Sequence, residues 1–84
     1  MVMNMFINKA KNGTNNLCGK NVAATRKKMG LSQRELADRL QLQGLDLDKN
    51  AIQRIEAGKR FVTDIELSAL AVILDMTFEQ LLQQ

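Results

Sequence analysis

Two stretches of the 84-residue chain, LSQRELADRL (31–40) and DKNAIQRIEAGKR (48–60), decide the fold. Each contains a residue whose side-chain oxygen can cap the start of a helix, Ser32 in the first and Asp48 in the second. The apolar residues that follow recur at three- and four-residue steps, which is the period of a helix with one buried face. The stretches therefore predict two short helices, over 33–43 and 49–57.

The rest of the chain carries the same signals. Capping boxes, in which a Ser or Thr is followed three residues later by Glu or Gln, are found at Ser32–Glu35, Thr63–Glu66 and Thr77–Gln80. Glycines that can end a helix follow three apolar-periodic stretches, at Gly30, Gly44 and Gly58. We predict an all-α fold, a compact bundle of five short helices, with the other three helices over 17–29, 64–74 and 78–83. The predicted core consists of Leu36, Leu40, Ile52, Ile55, Leu70 and Leu74.

Composition excludes several classes of function. The chain has no histidine and one cysteine, Cys18, so histidine-based catalysis and cysteine-rich zinc sites are excluded. No phosphate-binding glycine loop is present. Cys18 falls on the apolar face of the first helix, which predicts a small buried hydrophobic residue. We therefore predict a protein that is not an enzyme and that binds neither metal nor cofactor.

Charge is unevenly distributed along the chain. The formal net charge is +3, but residues 1–30 carry six basic residues and no acid, whereas the only charges beyond Arg60 are four carboxylates. A polyanion would be attracted to one side of such a molecule, although a solvated basic tail is an equally good interpretation. We assign 1–16 to a basic N-terminal tail or arm and 17–84 to the folded domain. No stretch is apolar enough to span a membrane or to serve as a signal peptide, so we expect a cytoplasmic protein.

The sequence resembles the helix-turn-helix domains of the phage-repressor family, the lambda repressor and Cro type (XRE-type) of bacterial and phage regulators. The resemblance lies in GKNVAATRKKMGLSQRELA (19–37), DKNAIQRIEAGKR (48–60) and ELSALAVILDMTFEQLL (66–82). It implies a lambda-repressor-like domain that binds double-stranded DNA, with the helix at 49–57 in the major groove. Carried over position by position, it also implies roles for particular residues. Base-contacting residues would be Lys49, Asn50, Ala51, Gln53 and Arg54; residues at the DNA backbone would be Ser32, Gln33, Lys59 and Arg60; Arg26 and Glu56 would form a structural ion pair.

These residue types suit the implied roles on chemical grounds alone. Amide side chains can form paired hydrogen bonds with adenine, and Arg or Lys with guanine, at base edges in the major groove. Arginine can hold a carboxylate through two parallel bonds, which suits a brace between helices. For Arg54 an alternative stays open, in which the side chain points to solvent or to a protein partner.

The connector between the two central helices departs from the family pattern. From Leu40 to Asp48 it is longer by about five residues, through QLQGLDL (41–47). Either the first of the two helices gains a turn through Gln43, or the turn bulges. Gly44 favours the extended helix, with Leu45 and Leu47 tucked under the turn.

Two expectations concern partners. Val72 and Ile73 lie off the buried stripe of the fourth helix, so an apolar patch that also includes Phe61, Val62 or Ile65 is a possible homodimer contact. The alternative function is a protein-interaction module of the same fold, such as an antitoxin or adaptor whose main partner is another protein. DNA binding through phosphates weakens steeply with salt, whereas apolar protein binding does not.

Overall fold

The computed structural model describes residues 9–10 and 12–84. Within these residues the chain forms five helices and no strand. The helices are α1 (Gly19–Lys28), α2 (Gln33–Leu42), α3 (Lys49–Glu56), α4 (Asp64–Leu74) and α5 (Phe78–Leu82). The all-α prediction is confirmed, and each predicted helix is present with bounds within two residues of those expected. The stretch MVMNMFIN and Lys11, which belong to the predicted tail, lie outside the described residues.

The helix starts follow from the predicted caps. Ser32, Thr63 and Thr77 each accept a hydrogen bond from the backbone N–H three residues on, and each capping box is complete. Asp48 accepts from the Ala51 N–H at 2.8 Å and so begins α3. Because a five-to-eleven-residue helix is not stable alone in water, these caps define helix positions while mutual packing holds them.

A single core joins all five helices. All six residues predicted for the core are buried, and Val22 and Leu81 are fully buried with them. α3 contacts both α1 and α2, while α4 contacts α1, α2 and α5. Cys18 is also buried, and this burial raises the pKa of its thiol. Its surroundings therefore disfavour the reactive thiolate.

The longer connector is an extension of α2 followed by a packed return. α2 continues to Leu42 and is capped at Gln43, and Gly44 then takes a φ of 87° that ends the helix. Leu47 is buried at 3% exposure, Leu45 packs partly against the core, and the Gln41 Nε2 donates to the Leu47 carbonyl at 3.0 Å. The favoured interpretation is therefore confirmed.

An ion pair anchors the start of α4. The Arg60 guanidinium donates to both carboxylate oxygens of Glu66, at 2.9 and 3.0 Å. Hydrogen bonds from Arg60 lower the pKa of Glu66 below its ordinary value, in spite of partial burial, which acts in the opposite direction. Because the folded-state pKa is the lower one, the pair stabilises the fold above the ordinary pKa of Glu, and this contribution is lost as the pH falls through the folded-state pKa.

Replacing Glu66 by glutamine tests this contribution. The glutamine oxygen can still accept from Thr63 N–H in the capping box, so the change removes the ion pair alone. We expect Glu66→Gln to lower the free energy of unfolding at pH 7 by about 1 kcal/mol or less, since the pair is partly exposed. Urea unfolding should show this difference shrinking as the pH is lowered from 7 to 3. The exposed Glu79→Gln is the control, and a Glu66→Gln deficit that persists at pH 3 would contradict the assignment.

Candidate nucleic-acid interface

α3 has one buried face and one exposed polar face. Ile52 and Ile55 are fully buried, so the helix is fixed with the opposite side chains directed outward. Asn50, Gln53 and Arg54 are exposed. An exposed face of amide and cationic groups on a short, firmly packed helix is what contact with base edges requires.

Lys49 and Ala51 complete the predicted base-contacting set. Lys49 is exposed at the first position of α3. Ala51 is half-buried and packs partly against the core, so only part of its methyl group faces solvent. The five predicted residues therefore lie on the outer surface or edge of one helix.

A shallow depression runs along the outer face of α3. It has a volume of about 300 Å³ and is lined by Asn50, Gln53, Arg54, Ala57 and Lys59. Four of these residues were predicted from the sequence, and Ala57 was not. The small, exposed side chain of Ala57 leaves room between the polar groups of α3 and Lys59. Nothing in the sequence pattern predicted this role.

The cations at this surface are available to bind anions. Among the described residues, only Arg26 and Arg60 have a carboxylate within 4.0 Å. Lys49, Arg54 and Lys59 therefore have no internal carboxylate partner in that part of the chain. Unpaired cations on one surface are the electrostatic requirement for binding phosphates.

Ser32 and Gln33 lie at the start of α2. The Ser32 hydroxyl accepts from the Glu35 N–H at 3.0 Å, and its own hydroxyl proton is not used in that bond. Gln33 is half-buried, and its Nε2 donates to Glu56 Oε1 at 3.0 Å. Since an amide nitrogen carries two hydrogens, Gln33 keeps one donor for a further acceptor.

A buried brace holds α1, α2 and α3 together. Arg26 Nε donates to Glu56 Oε2 at 2.6 Å, and Arg26 Nη2 donates to Glu56 Oε1 at 3.0 Å. The side chains of Arg26 and Glu56 are only 10% and 8% exposed. Arg26 Nη1 also donates to the Leu31 carbonyl at 2.8 Å, in the turn that leads into α2. The structure thus brings together the two residues of the predicted ion pair, and it adds Gln33 to them.

The brace keeps Arg26 charged. The hydrogen bonds to Glu56 raise the pKa of Arg26 above its ordinary value, more than burial lowers it. The carboxylate also neutralises the guanidinium, which would be costly to bury alone. The role of the Arg26–Glu56 pair is therefore to position the helices. Because its charges neutralise each other, the pair adds no free cation to the surface.

Arg60 lies differently from the other predicted backbone-contacting residues. Its Nη1 donates to the Phe61 carbonyl at 3.0 Å in addition to Glu66. These bonds occupy much of the guanidinium and hold it against the start of α4. Lys59, by contrast, is exposed and unpaired among the described residues.

Two residues that sequence reasoning assigned to the tail contact the end of α3. Asn15 Nδ2 donates to the Lys59 carbonyl at 3.0 Å. Asn16 Nδ2 donates to the carbonyls of Ile55 and Arg60, at 3.1 and 2.8 Å. Asn16 Oδ1 also accepts from the Gly19 N–H at 2.8 Å, as a helix-capping side chain does. In the sequence, the only sign of these contacts was that Asn16 lies three residues before Gly19, the spacing of a side chain that can cap a helix start.

Val72 and Ile73, the two aliphatic residues predicted for a dimer contact, differ in exposure. Val72 is 68% exposed, whereas Ile73 is half-buried and packs against the core. Val72 lines an open groove with Leu45, Ile65 and Ala69. Phe61 lies apart from this groove, in one shared with Leu17 and Leu82.

A pair of capped helices joined by a packed turn, the second with an exposed polar face, defines a helix-turn-helix domain. A family model for the helix-turn-helix, of the XRE type, matches residues 22–81. The chain belongs to this family, which is one of DNA-binding transcription regulators rather than of enzymes. A comparison with curated proteins found no match.

Two other kinds of site are absent from the described residues. In that part of the chain, no three or more Cys, Asp or Glu residues cluster in a way that could hold a metal ion. None of its helices combines the length and the apolar character needed to cross a bilayer.

Proposed function

We propose that this protein is a small bacterial or phage regulator that binds double-stranded DNA in a sequence-specific manner. α3 enters the major groove, where Asn50, Gln53 and Arg54 contact base edges. The observation that supports this most strongly is that these three side chains are exposed while Ile52 and Ile55 anchor the opposite face of the helix. The proposal includes a cytoplasmic location, where bacterial and phage DNA is transcribed.

Contacts with the DNA backbone are assigned to residues that flank α3. Lys59, three residues beyond α3, supplies a cation, while Ser32 and Gln33 supply neutral donors from the start of α2. Lys49, the first residue of α3, stays with the base-contacting set. Such contacts fix the orientation of a protein on the duplex and carry little sequence information. We place Arg60 second to Lys59, since its guanidinium is engaged by Glu66.

Selection of bound sequences from a random pool of duplex DNA tests the proposal. At moderate salt we expect enrichment of a defined site, and binding to that site should weaken linearly on a logarithmic salt scale. An absence of enrichment, together with binding that does not depend on salt, would refute DNA recognition. Apolar binding to a protein would then be favoured, as expected of an antitoxin or adaptor.

We further propose that the protein binds as a homodimer. The contact surface is the groove that contains Leu45, Ile65, Ala69 and Val72, of which Ile65 and Val72 are each 68% exposed. Gln43, Asp64 and Ser68 also line the groove. Exposed aliphatic residues gathered on one side of a small domain favour self-association. Dimers of helix-turn-helix domains bind two half-sites about 34 Å apart, so the selected site should be a palindrome.

Replacing Val72 by lysine tests the dimer. Because Val72 is exposed in the monomer, the variant should remain folded while a charge placed in the groove prevents association. Sedimentation at matched concentrations should show a dimer for the parent and a monomer for Val72→Lys. Lysine at the exposed Glu79 is the control. A monomeric parent, or an unchanged dimer in Val72→Lys, would exclude this surface.

A further inference from the structure

We propose that Asn15 and Asn16, here called the asparagine clamp, are positioning residues for DNA binding that hold Lys59 where it meets a phosphate. The inference deepens the proposed function and rests on it. It extends the DNA-binding unit to residues 14–16, which precede α1 and make no contact with DNA themselves.

The backbone of Lys59 is held from two sides. Its N–H donates to the Arg54 carbonyl at 2.9 Å, and the Gly58 N–H donates to the Ile55 carbonyl at 3.0 Å. With Gly58 at a φ of 75°, this is the Schellman arrangement that ends a helix. The carbonyl of Lys59 is held by Asn15 Nδ2. The peptide groups on both sides of the lysine are therefore fixed, although its charged end is free.

The segment lies close against the end of α3. The Asn15 N–H donates to the Gly58 carbonyl at 2.7 Å. A Cβ atom built on Gly58 would approach Thr14 Cγ2 to 2.7 Å, a distance that requires a shift. Since only a glycine fits there without strain, residues 14–16 and the end of α3 form one packed unit.

Asn16 joins this unit to α1. Its amide oxygen accepts from the first residue of α1, and its amide nitrogen donates to carbonyls on both sides of Lys59, those of Ile55 and Arg60. Both hydrogens of the nitrogen are thereby used. In Asn15, by contrast, Oδ1 is buried with no partner among the described residues. The side chain of Asn15 therefore contacts the end of α3 through its nitrogen alone.

Position matters here because a phosphate contact requires a cation at a defined place. An unrestrained Lys59 would not hold its ammonium group at that place, so the phosphate contact and the counterion release that accompanies it would be lost. The clamp keeps this contact in place. Losing it should therefore resemble losing Lys59 itself, with weaker binding to every sequence alike.

The fold supplies a matched control for this idea. Asn21 Nδ2 also donates to two backbone carbonyls, those of Leu81 and Gln83, at 2.7 and 2.8 Å. It joins α1 to the end of α5 and has no bond to α3. Its loss should therefore cost stability of a similar kind without disturbing Lys59.

The experiment compares Asn15→Ala, Asn16→Asp and Asn21→Ala in the full chain. Aspartate at position 16 can still accept from Gly19 but cannot donate to Ile55 and Arg60. Because it also adds a negative charge, the uncharged Asn15→Ala distinguishes loss of the clamp from repulsion of the DNA. The probe is the duplex selected with the parent protein, together with an unrelated duplex. Affinity is measured at several salt concentrations, and thermal melting and amide hydrogen exchange are measured on the same samples.

We expect both clamp variants to bind both duplexes several-fold more weakly, with a logarithmic salt slope that falls by about one. Amide exchange should accelerate at 58–60 and remain unchanged in α5. Lys59→Ala should add little in the Asn15→Ala background, because the two residues act through one contact. Asn21→Ala should melt earlier and keep the affinity and salt slope of the parent.

Other outcomes would overturn the inference. Three results would each show that the clamp contributes only to the stability of the fold. They are unchanged salt slopes in the clamp variants, additive effects of Asn15→Ala and Lys59→Ala, and an equal loss of binding in Asn21→Ala. These failures are distinct from failure of the proposed function, in which the parent itself shows no salt-dependent binding to duplex DNA.

Discussion

Replacing Glu56 by alanine is expected to lower the free energy of unfolding by about 3–5 kcal/mol, the usual effect of leaving a buried charge without its partner. The Arg26 side chain is only 10% exposed and loses two hydrogen bonds in this variant. Gln33 loses its bond to the same carboxylate. The deficit is a large share of the roughly 5–15 kcal/mol that stabilises a small domain. Urea or thermal unfolding at pH 7 measures it.

Two variants define the source of this loss. Glu79→Ala removes a carboxylate from an exposed position and should change stability by less than about 0.5 kcal/mol. Combining Glu56→Ala with Arg26→Met should recover part of the deficit, because no unpaired charge is then buried. If Glu56→Ala behaves like Glu79→Ala, the brace does not stabilise the helix pair.

Replacing Asn50 by alanine should have the largest effect on DNA recognition. We expect a loss of about 1–3 kcal/mol for the selected site and a relaxed preference at the base pair that Asn50 contacts. Asn50 is exposed on the outer face of α3, so its loss should leave melting unchanged. Binding to the selected duplex and to its single-base variants provides the measurement.

Lys59→Ala and Gln83→Ala are the comparisons for this prediction. Lys59→Ala should weaken all sequences alike, since a phosphate contact carries no sequence information. Gln83→Ala removes an exposed amide just after α5 and should leave binding unaltered. If Asn50→Ala keeps both the affinity and the sequence preference of the parent, a different face of α3 meets the DNA.

Most of the fold could be predicted because its determinants are local in the sequence. Capping boxes act over three residues, as at Ser32 and Thr63, and helical periodicity acts over one or two turns. Both signals can be recognised in the sequence without knowledge of the tertiary structure. Even the longer connector was interpreted correctly, since Gly44 marks the end of α2 by its position alone.

The missed features are those that join distant parts of the chain through backbone atoms. Asn15 and Asn16 were assigned to a tail because bonds from a side chain to carbonyls 39 to 44 residues away leave no periodic pattern. The pairing of Arg60 with Glu66 depends on how the intervening turn folds, so the family resemblance assigned Arg60 to the DNA backbone without indicating this ion pair. The exposed face of α3 and the Arg26–Glu56 brace behind it could be predicted, whereas the bonds from Asn15 and Asn16 to the end of α3 could not.

The packed connector also has a consequence for the energetics of association. Leu47 is anchored in the core, and Gln41 holds its carbonyl, so the approach angle of α3 is set before any duplex arrives. Little conformational entropy then remains to be lost in this region at the moment of complex formation. Loosening the connector by Gln41→Ala, which removes the bond to the Leu47 carbonyl and leaves the core intact, should make the enthalpy of binding measured by calorimetry more favourable and the entropy less so. A segment that was rigid would then have to become ordered on binding.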